Sequence, residues 1–137
     1  MKIKRYYPEQ IDVTSERLNA IRNRFYLLEK KDRMIMSLYL DKDLSFRQIA
    51  LLLKNSPSSI SRRIRKIAFE LTKGKYILCL NVRHILTRRE MEIAKDYFIA
   101  GLSIKQIAEK NETSFYHIRE QLNDIHHTIS KTQKENQ

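Results

Sequence analysis

Cysteine occurs once in these 137 residues, at Cys79, and glycine and proline only twice each. A single thiol cannot close an intrachain disulfide or supply a cysteine cluster for zinc, which fits a reducing cytoplasm. So few glycines leave no glycine-rich phosphate loop. No apolar run approaches the ~20 residues of a membrane span, and the first residues lack the apolar core of a signal peptide. A cytoplasmic protein without membrane attachment is therefore expected. Acidic residues are also in deficit, with 27 Lys+Arg against 16 Asp+Glu and a net charge of +11. Such an imbalance points to a polyanionic partner.

Chemistry-bearing groups are equally sparse. His117, His126 and His127 could suggest a metal, yet adjacent histidines face different sides of a helix and no carboxylate or thiol completes a convincing set. Cys79, within "YILCL", reads as a small packed hydrophobe. No catalytic constellation is visible, so neither an enzyme nor a cofactor or metal is expected.

What is present is a repeat. "SFRQIALLLKNSPSSISRRIRKI" at 45–67 aligns without a gap on "SIKQIAEKNETSFYHIREQLNDI" at 103–125, every residue falling opposite the one numbered 58 higher. Gln48-Ile49-Ala50 answers Gln106-Ile107-Ala108, Ile60 answers Ile118, and the match runs back through Tyr39/Tyr97 and Ile35/Ile93 to Leu28/Leu86. An internal repeat of this length takes precedence over local readings. It predicts two tandem modules, 1–74 with an N-terminal arm and 75–137 with a polar C-terminal tail.

Scarce breakers and apolar residues at helical spacing predict an all-α chain. A first helix is expected over 15–28, buried through Leu18, Ile21, Phe25 and Leu28, and a second over 30–40. Ser45-Phe46-Arg47-Gln48 has the form of a capping box, with serine accepting from the third helical amide and glutamine reaching back. It opens a short helix to about Leu53. Ser56-Pro57 supplies a serine cap and a proline at the first helical position, where the missing amide hydrogen is harmless. The helix it starts, 57–72, is buried through Ile60, Ile64 and Ile67. Gly74 is expected to close it in the left-handed conformation. Residues 76–80 are assigned to helix by their place in the repeat. Thr87-Arg88-Arg89-Glu90 and Ser103-Ile104-Lys105-Gln106 are further capping boxes, and the tail from Ser130 reads as frayed. Lys2, Lys4, Arg5, Tyr6 and Tyr7 form a basic arm.

A short capped helix, a tight turn and a second capped helix constitute a helix-turn-helix. Ala50 and Ala108 permit close crossing of the pair, and Ile60 and Ile118 anchor the second helix. With these residues in place, "LEKKDRMIMSLYLDKDLSFRQIALLLKNSPSSISRRIRKI" resembles region four of bacterial sigma factors. Likewise "LTRREMEIAKDYFIAGLSIKQIAEKNETSFYHIREQLNDI" resembles the DNA-binding domain of LuxR-type regulators. The two resemblances span about Leu28 to Ile125. They imply promoter or operator recognition by a recognition helix in the major groove. The turn glycine of these families is replaced by Lys54 and Glu112, and the apolar residue before it by Asn111 in the second copy, which predicts a distorted second turn.

Subtracting the buried stripe leaves Ser58, Ser59, Ser61, Arg62, Arg63, Arg65 and Lys66 on the outer face of the first recognition helix. Arginine and serine there suit base edges, while Arg47 and Ser56 suit phosphate. In the second copy the corresponding candidates are Lys105, Ser114, Tyr116, His117 and Arg119, accompanied by Glu120, Asn123 and Asp124. Residues 1–74 carry 17 Lys+Arg against 8 Asp+Glu, whereas 75–137 carry 10 against 8. The first module is therefore expected to supply most of the phosphate attraction, and the second to read a weaker half-site or to meet a protein.

The function expected is a sequence-specific double-stranded DNA-binding transcription regulator, bacterial and nucleoid-associated, compatible with a homodimer. The sigma resemblance supports an alternative, a sigma-like or sigma-modulating factor that docks on RNA polymerase or another transcription protein. A third reading is the DNA-binding subunit of a recombination system.

Overall fold

The computed structural model describes residues 15–135, so the basic arm of Lys2, Lys4, Arg5, Tyr6 and Tyr7 lies outside the described residues. All regular structure among them is helical. The chain divides into two compact units that meet at Thr72/Lys73, two residues ahead of the expected division at 74/75.

Unit one contains α1 (Ser15–Asn23), α2 (Lys30–Leu40), α3 (Phe46–Leu53) and α4 (Pro57–Thr72). Unit two contains α5 (Lys75–Asn81), α6 (Arg88–Ala94) continued by a π turn over Lys95–Ile99, α7 (Ile104–Lys110) and α8 (Phe115–Glu135). Helices α2 and α6, α3 and α7, and α4 and α8 start 58 residues apart, at Lys30/Arg88, Phe46/Ile104 and Pro57/Phe115. The repeat also extends further back than the sequence match, because α1 and α5 both end at an asparagine, Asn23 and Asn81.

The two cores are built from corresponding positions. Ile21, Leu28, Ile35, Ile49, Ala50, Ile60, Ile64, Ile67 and Leu71 are buried in unit one, and Cys79, Leu86, Ile93, Ile107, Ala108, Ile118, Leu122, Ile125 and Ile129 in unit two. Each large aliphatic side chain removed from water in this way contributes about 1.5–3 kcal/mol. Burial pushes the Cys79 thiol up to about 11, so it is a core residue and a poor nucleophile.

Three local expectations are corrected. The helix expected over 15–28 breaks after Asn23, where Arg24 leaves helical geometry (φ −110°, ψ 10°) before a 3₁₀ turn over Phe25–Leu27. Arg24 is held there by donating Nη1–H to the Leu71 carbonyl at 2.7 Å, near the end of α4. Val82 makes the same departure in unit two (φ −117°, ψ 22°). Neither break has a glycine or proline to announce it. Gly74 is not left-handed; at φ −74° and ψ 169° it is the extended N-cap of α5. The tail expected to fray from Ser130 continues as helix to Glu135, with Ile129 buried beneath it.

Candidate nucleic-acid interface

Each unit presents a short helix, a turn and a long helix held by the same bonds. Ser45 Oγ accepts from the Gln48 amide at 3.1 Å while Gln48 Oε1 accepts from the Ser45 amide at 2.8 Å. Ser103 and Gln106 repeat this box at the same two distances. Ahead of the boxes, the Leu44 amide donates to the Leu38 carbonyl at 3.1 Å and the Leu102 amide to Asp96 at 3.0 Å. Asp43 and Gly101, again 58 apart, are both left-handed, at φ 59° and 76°.

The turns share a left-handed residue and a closing bond. Lys54 (φ 56°) and Glu112 (φ 52°) occupy the left-handed conformation that glycine adopts without strain. Beyond them the Asn55 amide donates to the Ala50 carbonyl at 2.9 Å, and the Thr113 amide to Ala108 at 3.0 Å. The expected distortion of the second turn is local: α7 ends at Lys110, one residue short of the α3 equivalent, and Asn111 leaves helical geometry (φ −96°, ψ 5°). The Glu112 amide donates to the Glu109 carbonyl at 3.2 Å where the Lys54 amide donates to the Ala50 carbonyl. Asn111, in place of an apolar residue, keeps the turn closed by donating Nδ2–H to the Ile107 carbonyl at 2.7 Å. Ser56 Oγ then caps α4 by accepting from the Ser59 amide at 3.1 Å, and Ser114 Oγ caps α8 from the His117 amide at 3.0 Å.

The side chains on these matching frames differ, and some fall away from the expected outer face. Ser61 is buried, at 7% exposure, because the inward stripe of α4 is broader than Ile60, Ile64 and Ile67 alone. Its hydroxyl accepts from the Arg65 guanidinium, whose Nε also lies 3.4 Å from the Ser61 carbonyl. Arg65 therefore lies along its own helix. Arg63 reaches inward to Asp32 on α2, donating Nε–H to Oδ1 at 2.9 Å and a second bond to Oδ2. Asp32 is buried, and the hydrogen bonds to it raise the Arg63 pKa against the opposing effect of burial. This fork-on-carboxylate pairing fixes α4 on α2 and engages the Arg63 guanidinium there, leaving the side chain half-buried.

Arg47, Ser56, Ser58, Arg62 and Lys66 are exposed and Ser59 is half-buried. Ser59 Oγ accepts from Ser56 Oγ at 2.9 Å, with the Arg62 guanidinium 3.5 Å away. Lys54 and Asn55, at the turn, are exposed beside them. Sequence reasoning treated Lys54 only as a missing glycine; the contrast with Glu112 was the signal that it belongs to the cationic face. In unit two Lys105, Ser114, Tyr116, His117 and Arg119 are all exposed. Across the repeat Arg62 is replaced by Glu120 and Lys66 by Asp124, so two charges reverse sign.

Among the described residues no group of three or more His, Cys, Asp or Glu side chains is arranged to hold a metal ion, and no helix is long and apolar enough to cross a membrane. No family model, curated protein or solved structure matches the chain.

Proposed function

We propose that this protein is a sequence-specific double-stranded DNA-binding transcription regulator with two helix-turn-helix modules, in which α4 is the main electrostatic reader. The observation that carries this reading is the recurrence of one cap-and-turn frame at a fixed offset, with Arg47, Lys54, Arg62 and Lys66 exposed around the first copy. The early turns of a recognition helix meet base edges, and flanking cations hold the backbone. Selection of duplexes from a random library by the full chain, followed by salt titration on the selected site, tests it. A defined motif and a log K that falls steeply with log salt are expected. Equal affinity for all duplexes, or an affinity indifferent to salt, would refute it.

The exposed Leu51 and Leu52 on α3, at 76% and 62%, support a second reading, that of a factor docking on RNA polymerase as well as on DNA. Purified polymerase should then bind the chain and lose it on Leu51→Lys/Leu52→Lys substitution.

A further inference from the structure

Helix α8 begins with Phe115 and Tyr116, where α4 has Pro57 and Ser58. Both aromatic side chains stand in solvent, at 52% and 68% exposure, whereas residues of this size usually find cover. The Ser114 cap holds their first turn as the Ser56 cap holds that of α4. They therefore occupy the positions that a helix-turn-helix directs into the major groove. Charge does not favour this face as it does its counterpart, since Glu120 and Asp124 stand where α4 has Arg62 and Lys66. Lys105 and Arg119 nevertheless remain exposed, and Arg119 lies one helical turn beyond Phe115, on the same side.

The major groove offers an uncharged reader one large apolar feature, the 5-methyl group of thymine. We infer that Phe115 and Tyr116 read thymine methyl groups, which makes the second module a thymine-selective reader with little phosphate attraction. The inference rests on the DNA-binding reading above. A protein partner is the competing occupant of two exposed aromatics. The shared left-handed turn residue and serine cap and the two remaining cations favour DNA.

The test uses the full chain and duplexes it selects from a random library, with each thymine replaced in turn by deoxyuridine, which removes the methyl group and keeps every hydrogen bond of the base. At one cluster of positions each replacement should weaken binding about fourfold, the equivalent of ~0.8 kcal/mol for one methyl-sized group. Phe115→Ala and Tyr116→Ser variants, confirmed as folded by circular dichroism, should be indifferent to replacement at the positions their own side chains read. If selected duplexes bind but no deoxyuridine matters, or if it matters equally in both variants, the inference is overturned and the regulator reading stands. If the variants abolish self-association in sedimentation without changing thymine dependence, the face is a protein contact and the inference is again overturned. If no duplex is preferred at all, both readings fall together.

Discussion

Positions 63 and 121 are equivalent by the repeat, yet the two modules use them differently. In the first, Arg63 crosses to Asp32 and the pair ties the recognition helix to α2. In the second, Gln121 buries a side-chain carbonyl that has no hydrogen-bond partner, and Glu90, opposite Asp32 in the repeat, turns instead to the Thr87 amide at 2.9 Å. The helix starts have been kept while the bonds beside them have been exchanged: an ion pair between helices in one module, a capping box at a helix start in the other. Matched helix starts therefore do not imply matched energetics.

The sharpest way to break this comparison is to remove the pair. Arg63→Ala leaves Asp32 buried and unpaired. Losing one partner of a fully buried pair costs about 3–5 kcal/mol; because the Arg63 side chain keeps 29% exposure, a loss nearer ~2–3 kcal/mol is expected. Hydrogen exchange of the α2 and α4 amides would show it locally, as suits a chain with two units. Gln121→Leu should do the reverse, leaving α8 unchanged or up to ~1 kcal/mol more protected, since it deletes an unsatisfied buried acceptor. Similar losses from both variants would mean that position 121 is secured by more than its lack of a partner suggests.

A smaller effect is expected in binding. Arg62→Ala should weaken affinity for a selected duplex by about 1–2 kcal/mol, near the lower part of the range for a lost base contact. Arg119→Ala should do less, because Glu120 and Asp124 already oppose the phosphate field around it. Equal losses would overturn the proposed division between the modules.

Smaller still, and the same in both modules, is the response to glycine at the turns. Lys54→Gly and Glu112→Gly relieve a left-handed strain of ~1 kcal/mol or more, partly offset by the entropy glycine brings to the unfolded chain. A net gain of about 0.5 kcal/mol each in chemical denaturation is expected, with Lys54→Gly also losing a cation from the binding face. The last effect belongs to the second module alone. His126 packs edge-on against Phe98 at 5.5 Å, and burial, aided by the positive Lys75, holds its pKa below the ordinary 6.5. Between the folded and unfolded values the unfolded chain binds more protons, so stability rises with pH across that window and falls as pH drops below about 6.5. Denaturation at about pH 7.5 and pH 5.5 should show this decline in the native chain and a shallower one in His126→Leu.

Helix starts were the most legible part of the sequence, because Ser45, Ser56, Thr87 and Ser103 carry their own hydroxyl acceptors and act within one turn of chain. What escaped depends on partners far away. The break at Arg24 is secured by a carbonyl 47 residues on, and the inward turn of Arg63 by a carboxylate 31 residues back. Helical periodicity sets Arg63 beside Ile60 and Ile67, at the edge of the buried stripe, and subtraction of the stripe alone did not reveal that its side chain turns toward α2. Gly74 was misread because glycine between lysines suits a helix end as well as it suits the extended cap of the next helix. The exposure of Phe115 and Tyr116 could be foreseen only in part, from their position ahead of the Ile118 anchor.

The strict 58-residue offset has a consequence for how such a protein can change. With α3 and α7, and α4 and α8, starting in register and entered through equivalent left-handed residues, the stretch 57–67 is interchangeable in length and framing with 115–125. Duplication followed by exchange between the copies would then move a whole reading face at one stroke, caps and turn already in place. A lineage could double a basic reader, or an aromatic one, without inventing a fold, and point mutation would be left to adjust only the few exposed residues that set preference.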